Sequence, residues 1–75
     1  MNIEDIINIR LEEQQDGWYL GQAYNKGEEL IGICHISSSL EWAKHDMTEF
    51  KKQKYNELFP NGYIIEFDIV NLQKK

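Results

Sequence analysis

Cysteine is almost missing. Cys34 stands alone in a chain of 75 residues, so no internal disulfide can form and a stapled secreted mini-protein is excluded. No segment approaches the roughly 18 apolar residues that a membrane span needs, and the N-terminus lacks a basic stretch followed by an apolar run. Together these absences predict a soluble, cytoplasmic protein with no membrane partner. Gly17, Gly21, Gly27, Gly32 and Gly62 are too dispersed to cradle a phosphate, and neither nucleotide-binding glycine motif is present. Bases are also scarce, with eight Lys and Arg against thirteen Asp and Glu.

What remains is a small α+β domain of marginal size. A chain this short buries only about 60% of the surface it exposes when unfolded, so its core is thin. Its 41% of hydrophobic residues still fits a folded domain rather than a disordered tail.

The net charge of −5 is unevenly placed. Residues 1–37 hold seven acids (Glu4, Asp5, Glu12, Glu13, Asp16, Glu28, Glu29) against Arg10 and Lys26, whereas residues 38–75 hold six acids and six bases. A field of that sign repels nucleic-acid phosphate and attracts basic proteins, so direct nucleic-acid binding is not expected. Surface charge of this kind also serves solubility alone.

The opening segment fits two patterns. Ile3, Ile6, Ile7 and Leu11 match a helical stripe, while Ile7, Ile9 and Leu11 alternate with Asn8, Arg10 and Glu12 as in a half-buried strand. Asp16-Gly17 decides for a strand over about 5–14, because Asp-Gly between two such runs signals a hairpin with a type I′ turn. Trp18, Leu20 and Tyr24 mark a second strand over 18–25, residues 25–27 a turn, and Ile31 and Ile33 a third strand over 29–36. Ser38 with Glu41 reads as a capping box. One long helix over 39–58 is predicted behind it, with Leu40, Ala43, Met47, Phe50 and Leu58 on the buried stripe. Pro60-Asn61-Gly62 ends that helix, residues 63–70 alternate as a final strand, and 71–75 form a basic tail.

The expected order is therefore β-β-β-α-β in a single domain over residues 1–75. A three-stranded antiparallel meander is followed by one long helix that delivers strand four parallel to a strand already present. One helix cannot cover both sheet faces. With apolar residues on both sides of strand four, a homodimer through the uncovered face or through strand four is expected.

Tests for catalytic chemistry return little. Zinc needs three or four ligands at short spacings, and Cys34, His35 and His45 do not supply them. Neighbouring strand residues point to opposite faces, so Cys34 and His35 do not form a nucleophilic pair, and Cys34 reads as a core filler. Glu66 and Asp68 share a strand face by the two-residue period, with Glu12 near them, a pattern able to hold magnesium. The same alternation describes an ordinary solvent face. Lys51, Lys52 and Lys54 with Tyr55 make a weak nucleic-acid signal beside the reading of a solvated helix face. No cofactor, no metal and no catalytic residue is expected.

Trp18 beside the first turn and Trp42 in the first helical turn, out of phase with the stripe, suit binding hot spots, and Trp42 equally suits a role in closing the end of the core. At the first of them the chain resembles the HicB-like antitoxin partial domain. The stretch Glu12-Glu13-Gln14-Gln15-Asp16-Gly17-Trp18-Tyr19-Leu20-Gly21 is similar to that family's hairpin, an acidic turn followed by Gly-Trp-Tyr and a small residue. Where the family carries Pro-Gly-Cys and Gly-Asp-Thr, this chain has Ile33-Cys34-His35 and Ser37-Ser38-Ser39. The resemblance implies a degenerate ribonuclease-H-like sheet and a toxin ribonuclease as partner. A working nuclease of that fold needs a carboxylate in mid strand one, where Asn8, Ile9 and Arg10 stand, so catalysis is not carried over.

The expectation is a non-catalytic protein-binding module that meets a basic partner through Glu12, Glu13, Asp16, Trp18, Glu28, Glu29 and Trp42. The alternative is an acidic inhibitor from a phage or mobile element that mimics nucleic acid. A third reading is a metal enzyme using Glu66 and Asp68.

Overall fold

A computed structural model describes residues 6–36 and 39–72. Residue 5 at the expected start of strand one, Ser38 as helix cap, and residues 73–75 of the tail lie outside the described residues. The elements are β1 (Ile6–Glu13), β2 (Tyr19–Tyr24), β3 (Leu30–Ile36), α1 (Leu40–Glu49), α2 (Lys52–Leu58) and β4 (Ile64–Val70). Each strand end lies within a residue of its expected position. The domain is α+β, and its single sheet has the order β3-β2-β1-β4.

β1, β2 and β3 form the antiparallel meander, and β4 returns parallel to β1 with Ile7 opposite Ile65, Ile9 opposite Phe67 and Leu11 opposite Ile69. The period of two excludes any one-residue slip of that register, which would turn the apolar set of one strand to the other face. Ile7, Ile9 and Leu11 are fully buried there, with Ala23, Ala43, Met47 and Tyr55 completing the core. α1 lies over β1, β2 and β3. Its close approach depends on Gly21, where a Cβ would come within 2.8 Å of both Met47 Cγ and Sδ.

The first hairpin turn departs from the type I′ expectation. Among the described residues Glu28 is the only non-glycine with positive φ, so Asp16 does not take the conformation that a type I′ turn requires. Gly17 N donates to Gln14 O at 3.1 Å, Gly17 has φ of 84°, and Gln14 N donates to Trp18 O at 2.8 Å. This is a three-residue loop, a turn closed by one left-handed residue. Asp16 Oδ1 adds an acceptor for Trp18 N at 3.0 Å. The second turn repeats the geometry around Asn25, whose Oδ1 accepts from Gly27 N and Glu29 N, each at 3.0 Å. There the left-handed position falls on Glu28, with φ of 61°, and Gly27 stands one residue too early.

The helical segment is two helices rather than one. Ser39 caps α1, its hydroxyl accepting from Trp42 N at 3.4 Å, and the break comes at Phe50 and Lys51. Neither proline nor glycine causes it. In an unbroken helix at about 3.6 residues per turn, Lys54 would fall on the same side as Met47 and be driven into the core. The break turns α2 so that Tyr55 is buried instead, while Lys54 is exposed. Phe50, expected on the buried stripe, is 76% exposed, and Leu58 is also exposed. Tyr55 meets Tyr63 edge to face at 5.5 Å between ring centroids, and Phe59 lies 6.3 Å from Tyr63. Among the described residues no helix is long and apolar enough to cross a membrane.

Candidate protein-binding face

The two helices cover one side of the sheet and leave the other open. By the strand period and register, Asn8, Arg10 and Glu12 of β1 share the open side with Glu66 and Asp68 of β4 and with Gln22 and Tyr24 of β2. Asn8 pairs with Glu66, and Arg10 with Asp68. Arg10 also reaches Glu12, with Nη2 to Oε2 at 3.6 Å, and both side chains are nearly half exposed. An open groove lies here, lined by Asn8, Arg10, Tyr24, Glu28, Glu66, Phe67 and Asp68. It is an open trough on the surface, and three carboxylates and one guanidinium line it.

Trp18 stands at the far corner of this face. Its ring centroid lies 4.5 Å from that of His35, whose partner across the ladder is Leu20. His35 Nε2 is 3.7 Å from Asp16 Oδ2, an ion pair whenever the imidazole is protonated. Trp18 therefore keeps 37% of its surface exposed while resting on an internal neighbour. Cys34 points to the opposite side and packs against the core, as the strand period requires.

The expected partner-binding residues do not form one surface. Glu12, Trp18 and Glu28 belong to the open face or its rim, and Asp16 sits at the adjoining turn beside His35. Glu13 lies on the other strand face, its Oε1 accepting from Leu72 N at 2.9 Å, and with Glu12, Asp16 and Leu72 it lines a second depression at the first turn. Glu29 is exposed in the second turn, at the end of β2 away from Asp16. Trp42 lies on the helical side of the sheet, 57% exposed, with His45 edge-on at 5.4 Å. The acidic hairpins thus separate to opposite ends of the meander, a consequence of counting charge along the chain instead of across the sheet.

Glu66 and Asp68 are the residues added to the face. The expectation that they share a side with Glu12 is met, and the intervening Arg10 gives the cluster its own counter-charge. Among the described residues no group of three or more His, Cys, Asp or Glu is placed to hold a metal ion. Asn8, Arg10, Gln22, Glu66 and Asp68 make the middle of the open face polar, while Leu20 and Val70 flank Glu12, Ile33 lies beyond Gln22, and Ile6 and Ile64 pair at one end. No protein-family model matches the chain, and neither a curated protein nor a solved structure matches it.

Proposed function

We propose that the chain is a non-catalytic, cytoplasmic protein-binding module whose open sheet face takes a basic partner. One observation carries the reading: β1 and β4, from opposite ends of the chain, bring Glu12, Glu66 and Asp68 onto one face, and Glu28 lines the groove there together with Glu66 and Asp68. Carboxylates so placed speed encounter with a basic surface more than they tighten the final complex. Trp18 at the corner supplies apolar area that charge alone lacks. The hairpin's likeness to HicB-like antitoxins makes a toxin ribonuclease the partner of choice, and lone Cys34 suits a reducing compartment.

The test is affinity capture from the native host at low and high salt, with wild-type chain and a Glu66→Lys/Asp68→Lys variant run side by side. A basic protein retained by the wild type at low salt, released by salt and missed by the variant is the expected result. The nucleic-acid-mimic reading makes a separate demand, that DNA or RNA compete for the captured protein at its own active site.

A further inference from the structure

We propose that the outer edge of β4 is a docking strand, which adds an extended segment of a partner protein whose residues alternate between basic and apolar. The inference rests on the acidic-face reading and goes further, since it assigns the partner a backbone conformation and a sequence pattern.

β4 is the edge of the sheet on the β1 side, and among the described residues no strand pairs with its outer side. All seven of its residues keep uninterrupted register with β1, so the ladder is unbroken and, among the described residues, no strand takes up the alternate backbone donors and acceptors that face outward. The opposite edge, β3, is a poorer template: its pairing with β2 is broken by a bulge at Ala23 and Tyr24, and Gly32 lies within it. α1 covers β1, β2 and β3, and it reaches β4 through the Lys44 side chain, whose Nζ lies 5.6 Å from the Phe67 ring centre. Phe67 remains 37% exposed and Ile64 38% exposed.

The chemistry of an added strand follows from the two faces of β4. On the helical side its side chains would lie beside Phe67, which asks for apolar residues. On the open side they would lie beside Glu66 and Asp68, which asks for Lys or Arg at the alternate positions. A second copy of this chain, paired at the centre of β4, fits less well. An antiparallel pair of β4 strands about a two-fold axis at Phe67 sets Glu66 of one copy against Asp68 of the other, and like charges directly opposite repel. The same acids that discourage self-pairing select a basic strand.

The experiment uses the full chain, labelled with nitrogen-15, and two capped peptides of about nine residues that alternate lysine with valine. One is unmodified. The other is N-methylated at every second residue, which keeps the charge and removes main-chain donors. The expected result is slowed amide exchange at alternate residues of β4 with the first peptide, and binding at least about tenfold weaker with the second. Equal, salt-sensitive binding of both peptides, with shifts over Arg10 and Glu12 and no protection in β4, overturns strand addition and leaves the acidic-face reading standing. No salt-sensitive binding by either peptide removes both. A dimeric chain whose β4 amides are protected without any peptide also overturns the proposal.

Discussion

Arg10 and Asp68 stand opposite each other on neighbouring parallel strands, one from the acidic first half of the chain and the other from the neutral second half. Arg10 tempers the open face without neutralising it, since its ion pair is with Glu12 and the groove is still lined by Glu28, Glu66 and Asp68. Replacing Arg10 with serine removes the counter-charge from a side chain about half exposed. The fold should tolerate it, with stability changed by less than about 0.5 kcal/mol. Affinity for a lysine-rich peptide, followed by titration calorimetry at low salt, should rise about twofold to fivefold.

Glu28 carries a conformation that suits glycine. With φ of 61° at the closing position of its turn, the side chain sits in the left-handed region while Gly27 beside it does not need its freedom. Glu28→Gly should raise stability by about 1 kcal/mol, measured by urea unfolding. Because Glu28 also lines the open groove, the same variant should bind a basic peptide more weakly. Stability and binding would then move in opposite directions.

Gly21 is where the helix meets the sheet. A Cβ there would lie 2.8 Å from two atoms of Met47, which is itself fully buried, and 3.3 Å from Leu11 Cδ2. Gly21→Ala should cost about 1–3 kcal/mol through displacement of α1, seen as a lower denaturant midpoint.

Tyr55 buries its ring and its hydroxyl together, and the Oη has no hydrogen-bond partner among the described residues. Burial, with the neighbouring Tyr63 adding to it, pushes the phenol up from 10.0 to about 12. The folded chain therefore holds this proton more tightly than the unfolded one. Stability from this group is complete below pH 10 and declines as the pH rises toward about 12. Tyr55→Phe should remove that alkaline decline. At neutral pH it should add about 1 kcal/mol, because an unpaired buried hydroxyl is exchanged for nothing that needs a partner.

Much of the fold was legible because strand period and turn residues are local signals. Ile7, Ile9 and Leu11 alternate with polar neighbours, and the parallel return of strand four follows from one intervening helical segment. The helix break was not legible in an apolar stripe alone. Phe50 and Leu58 fit the stripe, and what excludes a continuous helix is Lys54, a charge that would fall among the core residues. Phe50→Ser should therefore change stability by less than about 0.5 kcal/mol, while Met47→Ala costs about 2–5 kcal/mol. The proposed binding face was half legible. Glu12, Trp18 and Glu28 lie on it or its rim, but Glu13 is engaged with Leu72, and Glu66 and Asp68 join only through a long-range parallel pairing.

Charge on the open face is the centre of this account, and the most direct measurement is the salt dependence of partner capture by wild-type and Glu66→Lys/Asp68→Lys chains. The expected result is a basic protein bound by the wild type at low salt, released as salt rises, and lost from a variant that still unfolds cooperatively. Retention of the same protein by the folded variant at every salt concentration would contradict it, as would a captured partner with an acidic surface.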